Sequence, residues 1–206
     1  QRWGNPLYEW QAHIDEDFDW WVKRLSTQLE LFDLIRIDHF RGFESCWEIP
    51  ASCETAMEGE WGKAPGEALF NKLVANFGEL PLVAEDLGII TEEVTALREQ
   101  FAMPGMKILQ FAFGGDADNP YLPHQHCRDS DEAMPWLLIR VALKSVSQLA
   151  VIPMQDLLEL GGEHRMNVPG TMEDNWMWQF EWNMLSEYCS GNLSALNKIY
   201  GRIIDE

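Results

Sequence analysis

Two carboxylic acids in this sequence stand in equivalent places, each directly after a short apolar run. Asp38 follows residues 31–37, and Glu85 follows residues 80–84. Either acid alone would more often be a helix cap or one half of an ion pair. If the two runs are neighbouring strands, about 4.8 Å apart, their carboxyl groups can face each other across a narrow gap. Retaining glycosidases use two carboxyl groups about 5–5.5 Å apart, one as nucleophile and one as general acid/base.

A basic side chain accompanies the first of these acids. Arg36 lies two residues before Asp38, so on a strand both side chains point to the same side. A guanidinium in that position would keep Asp38 ionised and hold its orientation. Glu85 would have to carry a proton to act as the acid, which requires a less polar or acid-crowded setting. These residue types and spacings suit a nucleophile at Asp38 and an acid at Glu85.

The elements that position these residues alternate between strand and helix. Apolar runs predict strands at residues 31–38, 80–87, 106–113 and 151–158. Helical spacing and capping residues predict helices near residues 15–30, 65–74, 91–101, 136–150 and 193–204, with a loop over residues 41–65. This alternation predicts an α/β fold with a parallel sheet, in which functional groups gather at the carboxyl ends of the strands.

Composition narrows the possible partners. The 206 residues include 34 acidic and 15 basic side chains, a formal net charge of −19, and 46% are hydrophobic. That apolar fraction indicates a packed globular protein, while the negative charge disfavours nucleic acid and anionic membrane surfaces. A neutral substrate meets no such repulsion. Most of the ten tryptophans are expected in the core, and some could line a groove for a sugar ring.

The cysteines indicate a reducing compartment. Cys46, Cys53, Cys127 and Cys189 form no Cys-x-x-Cys pair and no His/Cys metal spacing, so they are expected to be free, buried thiols of a cytoplasmic protein. No run approaches the roughly 18 apolar residues of a membrane helix. A phosphate-binding α/β protein is disfavoured because Gly114-Gly115 runs into acidic residues. The chain opens without an initiating Met or a signal peptide, which suggests that it is cut from something longer.

Several segments together resemble one known family. They strongly resemble the signature segments of amylomaltases, the 4-α-glucanotransferases of glycoside hydrolase family 77. The matching segments are residues 36–43 (Arg-Ile-Asp-His-Phe-Arg-Gly-Phe), 84–88 (Ala-Glu-Asp-Leu-Gly), 3–8, 103–113, 119–124 and 165–171. The resemblance covers almost the whole chain in order.

The resemblance implies a fold and a reaction. The family fold is a (β/α)₈ TIM barrel, of which residues 1–206 would form the catalytic C-terminal portion. Asp38 would attack the α-1,4 bond of a glucan and form a β-glucosyl ester, with Glu85 as general acid/base. The glucan then passes to the 4-hydroxyl of an acceptor sugar. Malto-oligosaccharides and α-1,4-glucans are the implied partners, and no metal, nucleotide or redox cofactor is implied.

The resemblance also implies residues that contact the sugar. They are Trp3, His39, Phe111, Asn167 and Pro169.

Two departures from the family pattern stand out. Family chains begin well before Gln1, and this chain is shorter than the roughly 250 residues of a complete barrel. The family also carries a Thr-His-Asp-Asn segment after the Pro-Tyr-Leu-Pro-His motif, and here it is absent. Asp129 and Asp131 lie nearby but do not match that motif and are expected to be exposed loop acids. The alternative to an active transferase is therefore an inactive, truncated fragment that binds glucan.

Overall fold

A computed structural model describes residues 4–113 and 133–203 of the chain. The chain divides into two compact units, residues 1–107 and residues 108–206. Each unit has its own apolar core among the described residues.

Unit 1 contains a two-stranded parallel sheet and an antiparallel hairpin. Its elements in chain order are α1 (Trp10–Asp15), α2 (Asp19–Leu29), β1 (Ile35–Ile37), a 3₁₀ helix (Phe40–Phe43), β2 (Ser45–Glu48), β3 (Glu60–Lys63), α3 (Gly66–Phe77), β4 (Leu82–Ala84) and α4 (Glu92–Gln100).

The parallel pair joins the two runs that precede the candidate acids. β1 and β4 are neighbours, and Ile35, Arg36 and Ile37 pair with Leu82, Val83 and Ala84. Helix α3 lies between the two strands in sequence, as a parallel connection requires. The α/β class and the parallel pairing are confirmed, although the expected barrel is not closed within the described residues.

Both strands of this pair are shorter than the apolar runs that predicted them. The amides of Leu31 and Phe32 donate to the carbonyl of Gln28, so this stretch continues the turn that ends α2. Pairing with the neighbouring strand begins only where the Ile35 amide donates to the Pro81 carbonyl at 2.9 Å. A hydrophobic run predicts that a strand is present, but it does not locate the first residue that pairs with the neighbouring strand.

The expected helix at residues 15–30 begins later, at Asp19, and a separate short helix, α1, ends at Asp15 before it. Asp17 and Phe18 have φ angles of 52° and 57°, in the left-handed region that interrupts a right-handed helix. Phe18 is buried in the core, and α2 begins at Asp19 directly after it. The burial of one aromatic side chain thus accompanies a break that the acidic residues at this point did not predict.

The segment interpreted as a loop over residues 41–65 contains the β2–β3 hairpin. Trp47 and Trp61 are cross-strand partners, and their rings meet edge to face with centroids 5.4 Å apart. Eleven residues connect the two strands. Sequence evidence for a hairpin comes mostly from short turns, so a connection of this length gave no signal.

Unit 2 is mainly helical in its described part. It contains a 3₁₀ helix (Leu109–Phe113), α5 (Met134–Lys144), α6 (Met154–Leu157), short 3₁₀ helices (Gly162–His164 and Trp182–Met184) and α7 (Glu187–Ile199).

Two expected strands are wrong. Residues 106–113 contain no strand and end in a 3₁₀ helix. The backbone bond to β4 lies just before this segment, from the Ala84 amide to the Pro104 carbonyl. Residues 151–158 contain the short helix α6 rather than a strand. Pro153 precedes the first helical residue, where its missing N–H is tolerated, and it accepts from the amides of Asp156 and Leu157.

The cysteine expectation holds in part. Cys46, Cys53 and Cys189 are free, but only Cys189 is buried and the other two are half-buried. Cys127 lies outside the described residues. Within the described ranges, no helix has the length and apolar character to cross a bilayer.

Candidate active site

The sheet register brings Asp38 and Glu85 to the same end of one strand pair. Each follows the last paired residue of its strand, Ile37 or Ala84. The Glu85 amide donates to the Ile37 carbonyl at 2.9 Å, and the Phe40 amide donates back to the Glu85 carbonyl at 3.1 Å. The two acids therefore flank one another at the carboxyl end of neighbouring parallel strands, where active sites of α/β folds lie.

Backbone amides hold the carboxyl group of Glu85. Its Oε2 accepts from the His39 amide at 2.7 Å, and its Oε1 accepts from the Leu87 amide at 3.2 Å. His39 adopts φ 50° and ψ 53°, a left-handed conformation that is uncommon for residues other than glycine. Such backbone strain clusters at functional sites, and here it directs an N–H at a carboxylate.

A guanidinium holds the carboxyl group of Asp38. Arg36 Nη1 lies 2.8 Å from Asp38 Oδ1, as the spacing predicts, and Arg36 Nε donates to the thioether sulfur of Met106 at 3.2 Å. The Asp38 side chain is 79% exposed, so it is open to a ligand in this chain. Arg36 can fix the direction of Asp38 without enclosing it.

A cleft of about 1010 Å³ in unit 1 opens beside Asp38. Its wall is rich in aromatic rings and includes Tyr8, Trp10, Trp21, Trp47 and, next to the acid, His39. Flat aromatic faces with a few polar groups suit an amphipathic ligand such as a sugar. Glu85 is not part of this wall and faces the His39 amide instead.

The thiol of Cys46 also lines the cleft. Burial raises its pKa, and the neighbouring Glu48 carboxylate raises it further. A thiol with a raised pKa stays protonated at neutral pH and is a poor nucleophile. In residues 4–113 and 133–203, no group of three or more His, Cys, Asp or Glu side chains is arranged to hold a metal ion.

Three of the expected sugar-contacting residues lie in unit 2. Phe111 is half-exposed in the 3₁₀ helix, and Asn167 and Pro169 are exposed in the loop before α7. Pro169 and Gly170 form the centre of a turn closed by the Thr171 amide and the Val168 carbonyl, with Gly170 at φ 85°. Trp3 lies outside the described residues.

Two arginines at the edge of the site were not singled out from the sequence. Arg41 stacks over the Trp61 ring at 4.4 Å and donates to the Ile89 carbonyl, so it ties the loop after β1 to the loop after β4. Arg98 contacts Asp86, the residue directly after Glu85, through Nε and Oδ2 at 3.4 Å. Arg41 lies within a charged motif and Arg98 follows one, and this position was the signal that the sequence offered. The partners of both arginines are set by tertiary packing, which the sequence pattern does not show.

Comparison with known proteins places this chain in a glycoside hydrolase family with an α/β fold. The solved structure of amylomaltase from Streptococcus agalactiae in complex with acarbose superimposes with a TM-score of 0.88 and 32% identity, covering 97% of this chain and 48% of that one. The sequence model of glycoside hydrolase family 77, described as 4-alpha-glucanotransferase, matches residues 1–131 and 125–185. The chain belongs to this family.

Individual relatives agree with the family match. The chain is 45% identical to the 4-alpha-glucanotransferase of Thermus thermophilus, with 98% of this chain and 49% of that protein covered. It is 42% identical to the Synechocystis enzyme of the same name, with 99% and 48% covered. The chain spans about half the length of these relatives. The Thermus alignment extends over 245 positions, more than the 206 residues of this chain, so this chain has gaps relative to that protein.

Proposed function

We propose that this protein is a 4-α-glucanotransferase, which moves a segment of an α-1,4-glucan to the 4-hydroxyl of an acceptor sugar. Membership of family 77 and the pairing of Asp38 with Glu85 at one sheet end support the proposal. The observation that carries it is the register, since a shift of one residue would turn one of the acids to the other face of the sheet.

Two displacements at one anomeric carbon account for the reaction. In the first, a carboxylate oxygen of Asp38 bonds to C1 as the bond from C1 to the glycosidic oxygen breaks, and Glu85 gives its proton to that oxygen. In the second, Glu85 takes the proton of the acceptor 4-hydroxyl, whose oxygen displaces Asp38 from C1. Two inversions restore the α configuration. Arg36 orients Asp38 throughout.

The substrate class follows from the cleft and the relatives. Malto-oligosaccharides and α-1,4-glucans are neutral, so the charge of −19 does not oppose their binding. The Streptococcus agalactiae structure is a complex with acarbose, and we propose that this protein binds the same class of compound. Trp3, His39, Phe111, Asn167 and Pro169 are the proposed sugar-contacting residues.

The fold proposal is that the β1–β4 pair belongs to a (β/α)₈ barrel, with residues 1–206 as its catalytic C-terminal portion. The TM-score to amylomaltase over nearly the whole chain supports this assignment. The half-exposed free cysteines suit a reducing compartment, and we propose the cytoplasm. Two plant relatives have names that place them in the chloroplast or amyloplast.

The test combines transfer and trapping. The protein should release glucose from maltotriose while forming longer oligosaccharides, and Asp38→Asn and Glu85→Gln should each abolish this. Asp33→Asn is the control, because Asp33 is an exposed acid just before β1 with no proposed role. No transfer by the unmodified chain would instead favour an inactive glucan-binding fragment.

α-Maltosyl fluoride then separates the two roles. Fluoride leaves without a proton, so Glu85→Gln should still form the glycosyl ester while Asp38→Asn should not. Mass spectrometry of peptides should find the added maltosyl group on the peptide that contains Asp38. An adduct on another residue, or none on Glu85→Gln, would refute the assigned roles.

A further inference from the structure

A second carboxylate lies directly after the proposed acid/base and is largely buried. The side chain of Asp86 is 11% exposed, and its Oδ2 lies 3.4 Å from Nε of Arg98, which is 22% exposed. Its Oδ1 accepts from the Met106 amide at 2.9 Å. Neither residue lines the cleft beside Asp38. A buried ion pair carries a desolvation cost, so it is weak evidence of a purely stabilising role.

The two partners of Asp86 fix the same segment, residues 103–106. Arg98 Nη1 donates to the Met103 carbonyl at 2.9 Å, and the Ala84 amide donates to the Pro104 carbonyl at 2.9 Å. Gly105 leaves the space that the carboxylate occupies, because a Cβ there would overlap Oδ2 of Asp86. Asp86 therefore holds the Met106 end of this segment beside β4, while Arg98 and the Ala84 amide hold its other residues.

This segment ends at the residue that contacts Arg36. The thioether sulfur of Met106 accepts from Arg36 Nε at 3.2 Å, and Nη1 of the same guanidinium reaches Asp38 at 2.8 Å. A planar guanidinium held at two nitrogens has a defined direction. A continuous series of contacts thus runs from Arg98 through Asp86, Met106 and Arg36 to the proposed nucleophile.

We propose that Asp86 is a positioning residue, which sets the direction of Asp38 through the Met106 backbone, the Met106 sulfur and Arg36. This inference rests on the proposed function, since it assigns Asp86 a part in the same reaction. Asp86 directly follows Glu85, the proposed acid/base, and acts on Asp38, the proposed nucleophile. Residues 85–86 therefore serve both halves of the proposed reaction.

The test compares three variants in the full chain. Asp86→Asn removes the charge that Arg98 faces, and Met106→Leu removes the sulfur acceptor while conserving volume. Glu99→Gln is the control, because it removes an exposed carboxylate 3.3 Å from the same arginine without touching Asp86. For transfer between maltotriose molecules, we expect kcat to fall about 10- to 100-fold in Asp86→Asn and about 3- to 10-fold in Met106→Leu. KM should change less than about threefold, and Glu99→Gln should match the unmodified protein.

Met106→Leu keeps the proposal testable if Asp86→Asn fails to fold. An unchanged kcat and an unchanged pH–rate profile in Met106→Leu would overturn the proposal. It would also be overturned if Asp86→Asn lost thermal stability and kcat in parallel and regained its kcat under conditions that stabilise the fold. Hydrogen exchange on a fourth variant, Asp86→Ala, gives a readout without activity: the Met106 amide should be protected in the unmodified protein and lose protection in Asp86→Ala, which removes the oxygen that accepts from it. An inactive unmodified chain with this exchange pattern would refute the proposed function while retaining the contact series, whereas unchanged exchange would refute the series itself.

Discussion

The backbone N–H of His39 donates to Oε2 of Glu85 at 2.7 Å, so the residue after one proposed catalytic acid directly holds the other. His39 adopts a left-handed backbone conformation where it makes this bond, just after β1. The two acids are therefore coupled through one peptide unit as well as through the sheet. Pre-organisation of this kind fixes reacting groups before a substrate binds.

The conformation of His39 leads to the first prediction. Glycine adopts the left-handed region freely, whereas a β-branched residue is strained there, so His39→Val should lower the free energy of unfolding by about 1–2 kcal/mol relative to His39→Gly. Urea denaturation measures the free energy of unfolding of both variants. Equal stability of the two variants would show that the backbone relaxes away from this conformation. Both variants should lose transfer activity, because both lack the imidazole proposed to contact the sugar.

Arg36 should matter for activity far more than for stability. It is 48% exposed and Asp38 is 79% exposed, and ion pairs between exposed groups contribute about 0–1 kcal/mol. Arg36→Gln should therefore leave the midpoint of urea unfolding nearly unchanged while kcat falls at least tenfold, about 1.4 kcal/mol of barrier. Arg36→Lys keeps the charge but lacks the planar guanidinium that reaches both Asp38 and Met106. Its kcat should therefore lie between those of the unmodified protein and Arg36→Gln. An undiminished kcat in Arg36→Gln would remove its proposed role.

The sequence predicted the two acids and their common sheet end because both signals are local. Asp38 and Glu85 follow apolar runs, and such runs predict strands whatever lies elsewhere in the chain. The position of Arg36 followed from the two-residue period of a strand in the same way.

The remainder of the candidate site depends on contacts distant in sequence. The bond from Arg36 to Met106 joins residues 70 positions apart, and no periodicity signals it. The wrong strand at residues 106–113 has the same origin, since strand formation requires partners that hydrophobicity does not reveal. Left-handed His39 was equally hidden, because histidine adopts that conformation rarely and no glycine marked the turn.

Gly66 should tolerate no side chain. It is the first residue of α3, and a Cβ there would overlap the Phe43 carbonyl oxygen and lie 2.9 Å from Cδ2 of Leu97. Because a backbone atom cannot move aside cheaply, Gly66→Ala should lower the free energy of unfolding by about 1–3 kcal/mol. Gly191→Ala in α7 is the matched control, with nothing within 4 Å of its Cβ. It should be neutral or stabilise by up to about 1 kcal/mol, and the same loss in both variants, measured by urea denaturation, would contradict the steric explanation.

Glu44 should make stability depend on pH. Burial raises the pKa of this carboxyl, but hydrogen bonds from the Lys63 ammonium and the Ser45 hydroxyl outweigh it and hold the pKa below its ordinary value of 4.5. A lowered folded-state pKa stabilises the protein above the unfolded-state value, and this contribution is lost as pH falls through the folded-state value. Lys63→Met should therefore lower the free energy of unfolding at pH 7, by up to about 1 kcal/mol because Lys63 is 74% exposed.

At a pH below the folded-state pKa of Glu44, where this carboxyl is protonated with or without Lys63, the two proteins should have equal stability. Chemical denaturation across this pH range measures the difference. Lys23→Met provides the comparison, because the Asp19 carboxylate that it leaves unpaired is 55% exposed, whereas Glu44 is 13% exposed. Water replaces a lost partner more readily at an exposed carboxylate, so Lys23→Met should change stability less than Lys63→Met at pH 7. A Lys63→Met deficit that persists unchanged below the folded-state pKa of Glu44 would show that packing of the lysine stem, rather than the charge of Glu44, is responsible.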